Sequence, residues 1–172
     1  MLLRQMAVAL LFNEHHEVLF LQKKVNSRFL PGQLVPIGGH IVGGETGDPK
    51  RACLREIEEE TGLEEHALTG LALRYIVHRM KDDQEIRIQY IFTGKVAADS
   101  ELVESEEGRL SWVDCRTASH QPVTASTEEV MRHYLETGIH NNTTYIGTMH
   151  ASQGQAAMSW SVLEDWEGRV SL

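Results

Sequence analysis

The chain has 172 residues, 41% hydrophobic and 24% charged, with a formal net charge of −9. That length suits one domain with a real core, expected over 1–172, and the acidic balance argues against a nucleic-acid polymer as partner, because such binding needs a basic surface to displace counterions. The sequence holds no apolar run of the roughly 18–20 residues that cross a bilayer, no convincing cleavage site after the apolar stretch at 6–12, and in Cys53 and Cys115 too few thiols for a disulfide framework or a zinc cage.

A reducing cytoplasm is therefore the expected compartment, and no membrane partner is expected. A small nucleotide stays compatible with the acidic charge, since bound divalent metal reverses the local field. Nothing in the sequence fixes an oligomeric state.

In chain order, 6–12 and 18–22 read as strands joined by the polar turn Asn13-Glu14-His15-His16. Residues 25–33 form a loop marked by Asn26, Ser27 and Pro31-Gly32, and a short strand at 34–35 leads into Pro36-Ile37-Gly38-Gly39-His40. A helix then starts at Asp48 as N-cap with Pro49 in the first turn, and ends at Gly62. Alternation predicts strands over 71–77 and 86–92 with a turn at 81–84, and a further strand at 110–114. Ser126 and Glu129 fit a capping box for a second helix that shares a face of Val130, Met131, Tyr134 and Leu135 and stops at Gly138. Residues 143–163, with Gly154 near the middle, predict a closing strand pair. Strands, helix, strands, helix, strands describe an α/β (α+β) fold, a mixed sheet between helices.

The first helix carries the chemistry. At about 100° per residue, Arg55, Glu56, Glu59 and Glu60 fall within roughly 140° of one another. Ala52 lies inside that arc and leaves room for an ion, while Cys53, Leu54 and Ile57 lie beside it and can pack on the sheet. Like charges at i, i+3 and i+4 destabilise a helix by a few tenths of a kcal/mol per pair, so a cation is expected among them. Hard oxygen ligands beside a glycine-rich loop point to magnesium, with manganese as substitute, and to a phosphorylated substrate. The bland alternative is a solvated acidic face. The glycine loop, the proline start and the Arg55-Glu56 pair agree on the metal instead.

The same residues resemble the Nudix box: Gly39, Glu45, Arg55, Glu56, Ile57, Glu59, Glu60, Gly62 and Leu63 fill its positions in order. One departure is visible. Nine residues rather than seven separate Glu45 from Arg55, and the extra two are placed in the loop near Thr46 to Asp48. The resemblance implies a mixed sheet between helices and hydrolysis of a nucleoside diphosphate linked to another group. It implies that Glu56, Glu59, Glu60 and the Gly39 carbonyl hold magnesium, that Arg55 and Glu45 orient the cluster, and that Gly38, Gly39, His40 and Glu45 border the bound cofactor. Enzymes of this family also place an acid before a tryptophan-bearing strand; the stretch from Ser105 to Trp112 matches and makes Glu107 the candidate.

His40 stands where many relatives have lysine and either touches a phosphate or caps the turn, with the cap favoured. Lys23, Lys24 and Arg28 are read as solvated surface charges rather than phosphate contacts. Phe29, Tyr75, Tyr90 and Trp160 offer aromatic faces for a base, though at strand spacing each reads more readily as core. Layout favours the MutT-like branch, a nucleoside triphosphate pyrophosphohydrolase. The alternatives are an ADP-ribose or nucleotide-sugar pyrophosphatase, and a non-catalytic nucleotide sensor.

Overall fold

A computed structural model describes residues 1–167; the last five positions of the expected domain lie outside the described residues. Its elements are β1 (Leu2–Phe12), β2 (Glu17–Lys23), β3 (Leu34–His40), α1 (Pro49–Thr61), β4 (Leu68–Lys81), β5 (Glu85–Val96), β6 (Gly108–Asp114), α2 (Ala125–Glu136), β7 (Thr144–Ser152) and β8 (Gln155–Leu163). The strands form one mixed sheet in the order β6-β2-β3-β1-β5-β4-β7-β8. β1 with β5 and β4 with β7 pair in parallel, and the other neighbours pair antiparallel.

Period-two alternation divides the core between the two faces. Ala7, Ala9 and Leu11 of β1 join Leu19 and Leu21 of β2 against Ala52, Cys53 and Ile57 of α1. Val8, Leu10 and Phe12 join Val18, Phe20, Tyr75 and Ile91 against Val130 and Met131 of α2. The helices therefore cover opposite faces of the sheet, as the α/β reading required.

α1 begins and ends where its capping residues dictate. The Asp48 side chain accepts from the Arg51 N–H at 3.1 Å. Gly62, at φ 72°, donates its N–H to the Glu58 carbonyl, a left-handed exit that glycine adopts without a Cβ clash.

Three expectations are corrected. β3 runs to His40 instead of stopping at Val35, because it changes partner at Pro36: β2 pairs with it through Pro36, and β1 takes over at Ile37. The proline nitrogen, which has no hydrogen to donate, falls at that handover. The cap of α2 is Thr124, whose hydroxyl accepts from the Thr127 N–H, so Ser126 and Glu129 make no capping box. α2 ends at Glu136, and Gly138 opens a short 3-10 turn instead of closing the helix. The predicted strands at 71–77 and 86–92 extend into β4 and β5, because ladder hydrogen bonds continue where the residues turn polar. The closing pair is as expected, with Gln153 and Gly154 at positive φ in a two-residue turn.

Candidate active site at the glycine strand and the carboxylate helix

The site lies where the last residues of β3 meet the face of α1. Gly38 donates its N–H to Glu60 Oε2 at 2.8 Å. Its φ of +140° places a would-be Cβ on the Ala7 carbonyl, so only glycine fits. At Gly39 a Cβ would stand 2.5 Å from Glu56 Oε2, and the absent side chain is what lets that carboxylate lie against the strand.

Arg55 gathers the acids. Its Nε and Nη2 donate to the two oxygens of Glu45 at 2.8 and 3.1 Å. Its Nη1 donates to Glu56 at 2.8 Å and to Glu59 at 3.0 Å, and Nη2 also reaches the His40 carbonyl at 3.1 Å. The two-residue insertion thus leaves Glu45 in place: the loop folds back through hydrogen bonds from Glu45 N–H to Val42 O and from Asp48 N–H to Glu45 O. Arg55 holds the Glu45 carboxyl below the usual range, and the acids hold the Arg55 guanidinium more firmly protonated than usual.

Glu60 differs from its neighbours. It is 3% exposed, and burial, opposed by the Gly38 N–H and by Lys23, pushes its carboxyl up to about 7. Burial likewise raises Glu56, against the pull of Arg55. The helical-wheel picture is corrected here. Ala52 is fully buried and packs in the core, so the acidic arc and the buried arc overlap, and Glu60 lies inside the seam. A solvated acidic face does not describe these residues, although Glu59 is exposed.

Lys23 is not the solvated surface charge expected from the sequence. Its side chain is 15% exposed; its Nζ donates to Glu107 and stands 4.0 Å from Glu60 Oε1. The parity of β2 held the signal: Leu19 and Leu21 face α1, so Lys23 does too. Through this lysine the structure brings Glu107, just ahead of β6, up to the helix cluster. Among the described residues Lys24 and Arg28 make no ion pair, and His40 joins the site by its backbone carbonyl while its ring meets Arg4. Of the aromatic candidates, Tyr75 is fully buried, Tyr90 and Trp160 pack on the two core clusters, and Phe29 is exposed.

Among the described residues no three acidic, histidine or cysteine side chains stand as a ready-made metal cage. Arg55 and Lys23 divide the carboxylates between them, answering part of the expected need for a cation from within the chain. The donor set nonetheless fits a hard divalent ion. It offers carboxylate oxygens, a buried Glu60 whose cationic neighbour Lys23 is 4.0 Å away, and a glycine cradle over Glu56.

A family profile for the NUDIX domain matches residues 2–134. Among solved structures, a MutT protein from Bacillus halodurans is 24% identical over 92% of this chain and 97% of its own, with a TM-score of 0.65. A MutT protein from Methanosarcina mazei Go1 is 24% identical over 80% and 96%, with a TM-score of 0.67. An Ap4A hydrolase from C. elegans is 18% identical over 80% and 99%, with a TM-score of 0.66. No curated protein matches the chain in sequence.

Proposed function

Because the chain belongs to the Nudix family, we propose that it is a magnesium-dependent pyrophosphohydrolase of nucleoside triphosphates, releasing a nucleoside monophosphate and pyrophosphate. The observation that carries this reading is the buried Glu60 carboxylate, held by the Gly38 N–H at 2.8 Å, with Lys23, 4.0 Å away and shared with Glu107, as its cationic neighbour. A buried carboxylate is stable only when paired, protonated or bound to metal.

Glu56, Glu59, Glu60 and the Gly39 carbonyl would hold the magnesium, with manganese as a substitute. When bound, the metal draws charge from phosphate oxygens and acidifies the attacking water. The chain's own residues position and neutralise. Arg55 orients Glu56 and Glu59 through Nη1 and anchors itself on Glu45. Gly38 aims Glu60 by its amide. Glu107 and Lys23 stand as a paired acid and base at the outer edge, where Glu107 can take a proton once Lys23 moves to substrate phosphate.

The fold shared with MutT proteins and an Ap4A hydrolase supports a pyrophosphohydrolase, and the fully buried, free Cys53 with the buried, free Cys115 supports a reducing cytoplasmic setting. One domain over 1–172 and a small-molecule nucleotide partner belong to the same proposal; among the described residues no helix is long and apolar enough to cross a membrane.

Incubation with Mg²⁺ and a nucleotide panel tests it. Pyrophosphate and a monophosphate from a triphosphate is the expected result. AMP and ribose phosphate from ADP-ribose alone would replace it with the nucleotide-sugar reading. Tight binding without turnover would replace it with a sensor.

A further inference from the structure

Three arginines stand side by side across three strands, away from the carboxylate helix. Arg4 of β1 is the cross-strand partner of Arg87 of β5, and Arg87 is the partner of Arg79 of β4. Directly opposed residues share a face, and this is the face that continues through Gln89, Val77 and Met6 to Val8, Ile91 and Tyr75 under α2. Like charges placed opposite one another destabilise a sheet, so the row needs compensation.

The chain supplies little. Glu85 accepts from Arg4 at 3.1 Å and also from Arg87. The Arg79 side chain has neither hydrogen bond nor ion pair among the described residues, and its Nε is buried without a partner. Burial and the neighbouring Arg87 both disfavour its charge. An unpaired buried donor is costly to keep, and guanidinium groups match phosphate oxygens in a two-pronged geometry.

The row also touches the site. Arg4 Nη1 lies 3.2 Å from His40 Nε2, and the His40 carbonyl accepts from Arg55. At a strand spacing of about 4.8 Å, the row runs from roughly 5 to roughly 14 Å from β3.

We propose that Arg4, Arg87 and Arg79 form a phosphate subsite on the α2 face of the sheet, taking a phosphoryl group of the substrate that lies beyond the linkage cleaved beside α1. This rests on the hydrolase reading above. The substrate is then a nucleotide with phosphate to spare outside the metal-bound pair, and the row sets which nucleotides are held.

Calorimetric titration with inorganic pyrophosphate in EDTA reads the subsite without metal. Wild-type protein binds, and Arg79→Met and Arg4→Gln each weaken binding by about tenfold or more, the scale of one lost charge-assisted hydrogen bond. Glu59→Gln does not weaken it. Arg79→Met melts no lower than wild type, because it deletes a donor that has no partner and a like-charge neighbour; an arginine with a purely structural role would melt lower. On nucleotides that the wild type hydrolyses, KM rises by about tenfold in Arg79→Met while kcat stays within about threefold. No pyrophosphate binding by wild type, equal binding by both arginine variants, or an unchanged KM each overturns the subsite. Arginine-dependent binding with no hydrolysis of any nucleotide keeps the phosphate site and sinks the hydrolase reading instead.

Discussion

Glu60 occupies the helix position where the acidic and buried arcs overlap, so burial opposes its charge more than Lys23, 4.0 Å away, relieves it. Its folded value of about 7 lies above the ordinary 4.5. Below the lower value folded and unfolded chains both hold the proton and stability is unaffected. Between the two, the unfolded chain releases it first and the metal-free fold loses stability as pH rises; above the upper value the loss is complete. Glu60→Gln is therefore expected to raise the melting temperature in EDTA at about pH 8 and leave it unchanged near pH 4, while lowering kcat by at least about 10²-fold with Mg²⁺. Equal melting curves at both pH values would remove the buried-charge account. Gly39→Ala separates packing from catalysis. The added Cβ meets the flexible end of Glu56, at 2.5 Å, so the fold should lose no more than about 1 kcal/mol. Misplacing that carboxylate is expected to lower kcat by about 10²-fold, read from melting and steady-state rates on one preparation. At this scale the sequence named the acids that the structure gathers around Arg55 but not that Lys23 faces them, because the strand parity that aims Lys23 becomes visible only once the face of α1 is known.

Helix ends were legible where a side chain must satisfy a backbone donor, and ambiguous where several hydroxyls compete. Asp48, Pro49 and Gly62 bound α1 as read from the sequence. At α2 the run Thr124, Ala125, Ser126, Thr127 offers three hydroxyls, and Thr124 wins because its extended backbone, at φ −72° and ψ 153°, turns its oxygen back over the first turn. Thr124→Ala is expected to destabilise the protein by about 1 kcal/mol, and Ser126→Ala by less than about half of that, measured by urea denaturation. Equal losses would return the cap to Ser126. β3 outruns its expected end for a related reason. Proline and paired glycines suggest a loop locally, yet the strand continues because it exchanges β2 for β1 at Pro36, and no local pattern encodes a change of neighbour.

For the whole molecule, the proposed metal site would couple ion binding to folding through the seam between α1 and β3. An ion that binds only the folded chain stabilises it by about 2.7 kcal/mol at a hundredfold excess over its Kd. In a domain of this size that corresponds to a rise of roughly 5–10 °C in Tm. Magnesium is expected to produce this shift in wild type, with a larger effect at high pH where Glu60 is ionised, and little shift in a Glu56→Gln, Glu60→Gln double variant. A shift of equal size in the double variant would place the ion elsewhere. The sheet carries the site on a rigid backbone: β1 lies between β3 and β5, so the glycine pair and the arginine row are fixed relative to each other by ladder hydrogen bonds rather than by loops.

By itself the sequence determined the family motif, the alternation of the strands and the bounds of α1, because these follow from residue spacing along one element. Tertiary structure alone decided that Glu45 stays with Arg55 despite the longer loop, that Glu60 is buried while Glu59 is exposed, and that Lys23 bridges Glu60 and Glu107. It also decided that arginines distant in sequence stand in one row. Each of these depends on which strand lies beside which, and long-range pairing is set by the packing of the whole sheet, which no single stretch of chain contains.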